Sequence, residues 1–144
     1  MKTILRNIAA VIIGLVVGGA VNMGLIMVSQ YVIPPPAGVD VSDAESIRKS
    51  LHLFEPKHFV FPFLAHAVGT LVGAVLAFVI AASYRSVFAY VIGFAFLAGG
   101  IAAAFMIRGP AWFVVLDLVA AYIPMAWLGT QFGRRISGGG QNGR

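Results

Sequence analysis

The stretch FVFPFLAHAVGTLVGAVLAFVIAA, residues 59–82, decides the fold, because it contains no Asp, Glu, Lys or Arg. An α-helix rises 1.5 Å per residue and the hydrocarbon core of a bilayer is about 30 Å thick, so about 20 apolar residues cross it. Residues 59–82 therefore predict a transmembrane helix.

Three further segments have the same apolar character, at about residues 4–31, 87–107 and 111–132. Lipid offers no hydrogen-bond partner to the backbone, so each segment must be helical. None shows the alternation of a barrel strand. We therefore expect an all-α fold, a four-transmembrane-helix antiparallel bundle that forms one domain over residues 1–136. A disordered, Gly-rich tail is expected at 137–144.

The basic start of the chain, with Lys2 and Arg6, is also typical of a signal peptide. The apolar run after it is longer than the 7–15 residues of a signal-peptide core, so we expect a retained helix. The composition supports a membrane protein, since 60% of the residues are hydrophobic and only 10% are charged, whereas a soluble domain has about 25% charged residues.

Positive charges flank the apolar runs, which indicates contact with the lipid bilayer rather than with nucleic acid. With the N-terminus inside, the cytoplasmic segments hold six cations: Lys2, Arg6, Arg85, Arg134, Arg135 and Arg144. The outer segments hold four: Arg48, Lys49, Lys57 and Arg108. The positive-inside rule therefore predicts cytoplasmic N- and C-termini.

The one long connection is the outer loop, residues 34–58. Its residues 42–45, Ser-Asp-Ala-Glu, match a capping box. Apolar residues then follow at helical spacing: Ile47, Leu51 and Phe54. We expect a short amphipathic helix on the outer membrane interface, ended by Pro56.

Small residues indicate how the helices pack, since lipid supplies no hydrophobic force between them. Gly14 and Gly18 form one GxxxG pattern, and Gly69 and Gly73 form another. Contacts inside the bundle are the favoured interpretation, with a homodimer face as the alternative. Pro124 should kink the fourth helix.

Three polar residues fall inside the apolar segments: Asn22, His66 and Asp117. Counting 1.5 Å per residue from the outer ends places all three at roughly 9–13 Å depth. We therefore predict that Asp117 faces His66, with Asn22 nearby. This buried polar cluster is either a hydrogen-bonded lock between helices or a site for a proton or a ligand.

A second set of polar residues, His52, Glu55 and His58, lies at the outer mouth. Two imidazoles and a carboxylate are possible zinc ligands, but the spacing is not HExxH and Pro56 interrupts the helix that would align them. The alternative is a group of ordinary interfacial residues. The chain lacks cysteine and shows no cofactor fingerprint or Ser-His-Asp order, so we expect no cofactor.

Three runs together resemble an uncharacterised family of small bacterial four-span hypothetical membrane proteins: VNMGLIMVSQYVIPPPAGVD (21–40), HLFEPKHFVFPFLAHAVGTLVGA (52–74) and LDLVAAYIPMAWLG (116–129). The resemblance covers nearly the whole chain. It implies a location in the bacterial inner membrane and brings no activity or site residues with it.

These observations favour a non-enzymatic accessory or structural subunit that associates with itself or with a larger membrane complex. One alternative is a proton-coupled or small-solute transporter or channel that uses His66 and Asp117 as an oligomer. Another is a membrane metal-binding protein or enzyme that uses His52, Glu55 and His58.

Overall fold

The computed structural model describes residues 1–138, and in that range the regular structure is helical, without strands. The helices are α1 (Lys2–Val32), α2 (Ala44–Ser50), α3 (Val60–Ile80), α4 (Arg85–Ile107), α5 (Ala111–Ala120) and α6 (Ile123–Gly138), with 3-10 helices at Leu51–Leu53 and Pro56–Phe59. Four stretches are long and apolar enough to cross a membrane: Lys2–Val32, Pro56–Ile80, Arg85–Ile107 and Ala111–Gly138. The all-α class and the four apolar helices are thus confirmed.

The helix ends differ from the hydropathy boundaries by a few residues. α1 begins at Lys2 and α4 at Arg85, ahead of the apolar runs. α6 continues to Gly138, so it includes two residues that the sequence assigned to the tail, while residues 139–144 lie outside the described range. Hydropathy marks where side chains become polar, whereas backbone hydrogen bonding continues beyond that point.

The fourth apolar segment consists of two helices, α5 and α6, separated at Ala121 and Tyr122. Pro124 lies in the first turn of α6 and has no N–H to donate to the carbonyl of Ala120. The backbone N–H of Ala121 still bonds to Asp117, and that of Ala126 bonds to Tyr122. The predicted kink is therefore a break three residues before the proline.

Glycines bring α1 and α3 into close contact. A Cβ atom at Gly18 would lie 2.6 Å from the carbonyl oxygen of Gly69, and one at Gly14 would lie 2.8 Å from that of Gly73. α1 and α3 therefore run in opposite directions where they are in contact. The two GxxxG patterns face each other within one chain, so both serve internal packing.

α3 lies at the centre of the fold and also contacts α4 and α6. Gly129 of α6 packs on Ala74, and Gly133 packs on Phe78. Buried side chains from α3, α4 and α6 form one core cluster: Ala74, Ala77, Phe78, Ala89, Ile92 and Ala126. Small side chains dominate this core because they allow the helix backbones to approach closely.

The 34–58 segment contains a helix, as its sequence suggested, but the details differ. The cap of α2 is Asp43, whose carboxylate accepts hydrogen bonds from the backbone N–H groups of Glu45 and Ser46, so Ser42 is not the N-cap. Asp caps well because its short side chain reaches the free N–H groups. The helical turns end at Leu53, and Pro56 begins the second 3-10 helix instead of ending the first helix.

Polar residues near the start of α1 hold the connection between α3 and α4. Asn7 Nδ2 donates to Ser83 Oγ over 2.9 Å, and its Oδ1 accepts from the backbone N–H of Ala82 over 2.9 Å. Arg6 Nε donates to the carbonyl of Ile80 over 2.6 Å. The first turns of α1 and the last turn of α3 therefore lie at the same end of the molecule.

The substitution Gly18→Ala tests the contact between α1 and α3. Its new methyl group meets the Gly69 carbonyl, so we expect the free energy of unfolding in detergent to fall by about 1–3 kcal/mol. Gly19→Ala is the matched control, because a Cβ there has no neighbour within 4 Å. Equal stability of the two variants would contradict this packing.

Candidate functional site

The structure brings His66 of α3 and Asp117 of α5 into direct contact. His66 Nδ1 lies 2.8 Å from Asp117 Oδ1 and 3.0 Å from Oδ2. The Asp117 side chain is 7% exposed and that of His66 is 23% exposed. A carboxylate removed from water in this way needs hydrogen-bond donors, and the imidazole supplies one of them.

Tyr122 is the second donor to Asp117. Its hydroxyl donates to Asp117 Oδ2 over 2.8 Å, and its ring lies 5.7 Å from that of His66. Sequence analysis missed Tyr122, because a residue five positions on in a continuous helix points about 140° away. The break before Pro124 removes that restriction, so the proline was the available signal.

Gly100 of α4 makes room for the tyrosine. A Cβ atom at this position would overlap the phenol ring of Tyr122, which is 1% exposed. The ring therefore needs a residue without a side chain opposite it. α3, α4, α5 and the break between α5 and α6 thus each contribute one residue to the arrangement around the carboxylate.

Asn22 lies outside this hydrogen-bonded group. It packs against Gly69 of α3, since a Cβ atom on that glycine would lie 2.9 Å from Asn22 Cβ. In the described part of the chain its side chain makes no hydrogen bond to His66 or Asp117. Similar depth along two helices does not ensure that the side chains meet.

The structure does not assemble a metal site from His52, Glu55 and His58. His58 Nδ1 accepts the backbone N–H of Glu55 over 2.9 Å, and the Glu55 carboxylate pairs with Lys57 over 3.0 Å. Across residues 1–138, no three side chains of the His, Cys, Asp and Glu types form a group able to hold a metal ion.

A cavity of about 310 Å³ lies beside the His66–Asp117 pair. The 34–58 segment lines one part of it through Ile47, Leu51 and Phe54, three residues that the sequence placed on one face of a helix. Other lining residues come from α1 and its C-cap Ile33 and from α3, α4 and α5: Ile26, Ser29, Gln30, Ile33, Pro62, His66, Gly100, Ala103, Ala104, Ile107, Phe113, Val114, Asp117 and Leu118. Most of these side chains are apolar, and the polar ones are Ser29, Gln30, His66 and Asp117.

The substitution Tyr122→Phe tests the second hydrogen bond to Asp117. It leaves a buried carboxylate with one donor fewer, so the free energy of unfolding should fall by about 1.5–3 kcal/mol. The measurement is unfolding in mixed micelles, with Tyr84→Phe as the control at an exposed tyrosine. An effect of Tyr122→Phe no larger than that of the control would show that the hydroxyl does not support the carboxylate.

No protein-family model, curated protein or solved structure matches this chain. Membership of a family of bacterial four-span proteins therefore stays a prediction from the sequence. Any functional role for His66, Asp117 and Tyr122 has to follow from their chemistry.

Proposed function

We propose that this protein is a small non-enzymatic membrane protein that binds one small, largely apolar molecule in the His66–Asp117 cavity. The four long apolar helices are compatible with an integral membrane protein. Large apolar side chains such as Ile8, Val16 and Phe94 are more than half exposed. Lipid contact would remove that apolar surface from water.

The proposed arrangement is an antiparallel bundle in a bacterial inner membrane with both termini in the cytoplasm. The bonds from Arg6 and Asn7 to the α3–α4 connection support a shared end for Lys2, Arg6 and Arg85. The excess of positive charge at that end favours the cytoplasmic side. On this orientation the cavity and the 34–58 segment lie toward the outer side, with α2 at the membrane interface.

The cavity is the observation that carries the binding function. Protein interiors are close-packed, and voids larger than a water molecule are few. A purely structural role, in which the His66–Asp117 hydrogen bond fixes the packing of two helices, does not require an open space of about 310 Å³ beside that bond. Small-molecule sites have volumes of about 300–1,000 Å³, mostly apolar walls and a few polar groups that orient the ligand.

Conduction through a single copy has less support than binding. The core cluster around Ala74, Ile92 and Ala126 is fully buried. On the proposed orientation this buried cluster lies between the polar pair and the cytoplasmic end. A transport role would therefore need an oligomer or a rearrangement of the helices. Binding also suits an accessory subunit of a membrane complex, since neither role requires a catalytic group.

Binding of n-octane to the protein in lipid nanodiscs tests the proposal. The wild-type protein should take up n-octane saturably, above the partitioning into protein-free nanodiscs. Ala103→Phe places a ring in the cavity, and we expect affinity to fall about tenfold or more, because displacing two buried methylene groups costs about 1.6 kcal/mol.

The matched control for this experiment is Ala102→Phe, because Ala102 is an exposed neighbour outside the cavity lining. This variant should bind n-octane like the wild type. The proposal fails if the wild type shows no saturable uptake, or if both phenylalanine variants behave alike.

A further inference from the structure

The second ring nitrogen of His66 is open. Nδ1 contacts Asp117, whereas Nε2 makes no hydrogen bond to another residue in the range 1–138. Fully buried side-chain nitrogen and oxygen atoms in that range all have partners, so Nε2 keeps accessible surface. His66 also lines the cavity.

Asp117 determines which ring nitrogen carries the proton. The carboxylate accepts the hydroxyl hydrogen of Tyr122 over 2.8 Å, and His66 Nδ1 lies within 3.0 Å of both oxygens. An ionised carboxylate only accepts hydrogen bonds, so the proton belongs on Nδ1. In the neutral ring, Nε2 then presents a lone pair to the cavity.

Resting on the proposed binding function, we infer that the ligand is an apolar molecule with a hydroxyl group that donates a hydrogen bond to His66 Nε2. A carboxylate ligand has only acceptor oxygens, and their lone pairs would repel the lone pair of Nε2. A cationic amine would bring its charge among apolar side chains such as Ile26 and Phe113, while Asp117 already accepts from two donors. An aliphatic alcohol or a phenol meets both the polar and the apolar requirement.

Two probes of equal heavy-atom count isolate this hydrogen bond. 1-Octanol carries a donor, whereas 1-methoxyheptane has an ether oxygen that only accepts. After correction for partitioning into protein-free nanodiscs, the wild-type protein should bind 1-octanol about three- to tenfold more tightly, as expected of one net hydrogen bond. Equal binding, or a preference for the ether, would overturn the inference.

His66→Asn assigns the preference to Nε2. The asparagine amide can occupy the place of Nδ1 and donate to Asp117, but it has no atom at the place of Nε2. The preference for the alcohol, measured as the ratio of the 1-octanol affinity to the 1-methoxyheptane affinity, should disappear in this variant. The preference should persist in His52→Asn, the same change at a histidine that does not line the cavity. A preference that survives in His66→Asn would place the acceptor elsewhere and reject the inference.

The outcome with n-octane separates this inference from the proposed function. If n-octane binds and the alcohol shows no advantage, the cavity binds apolar molecules and only the hydroxyl assignment fails. If n-octane does not bind, the binding function itself fails. Should His66→Asn not fold, the two probes on the wild-type protein still decide the inference.

Discussion

The hydrogen bond between His66 and Asp117 is the constraint on which the rest of the arrangement depends. A carboxylate at the middle of a transmembrane helix costs about 2.5–3.5 kcal/mol on insertion scales. The imidazole on α3 and the hydroxyl of Tyr122 give this carboxylate two donors. Because His66 lies on α3, Asp117 on α5 and Tyr122 in the break just before α6, satisfying one charge fixes how these three helices meet.

Tyr122 reaches Asp117 only because two other residues allow it. Pro124 interrupts the helix, so a side chain five residues after the aspartate can turn back toward it. Gly100 on α4 leaves the space that the phenol ring fills. Pro124, Gly100 and Tyr122 therefore act together to give the Asp117 carboxylate its second donor. None of these three residues indicates this role in the sequence by itself.

The two ends of the molecule are built differently. Near Gly14 and Gly73 the backbones of α1 and α3 are in contact, and no side chain separates them. At the opposite end the 34–58 segment lies over the cavity. Local bonds organise this segment: the Ser42 hydroxyl and backbone N–H both donate to Asp40 and hold the pKa of that carboxyl below its usual value. Close packing of α1 on α3 together with an open space beside His66 suits the proposed binding of a small molecule.

The sequence by itself determined the properties that depend on distance along the chain. Four apolar stretches of sufficient length predict four long helices, and a rise of 1.5 Å per residue places His66 and Asp117 at similar depth. The glycine patterns likewise favoured packing inside the bundle, and the structure then showed that the two patterns meet each other. Each of these inferences uses the regular geometry of a helix, which every sequence of this kind shares.

Only the tertiary structure decided which side chains of neighbouring helices face each other. Within residues 1–138 it left Asn22 without a hydrogen bond to the polar pair, added Tyr122 through the helix break, and left a cavity beneath the 34–58 segment. Depth alone does not fix these relations, because they depend on the rotation and spacing of helices that pack through many weak contacts. No local pattern in the sequence encodes those angles.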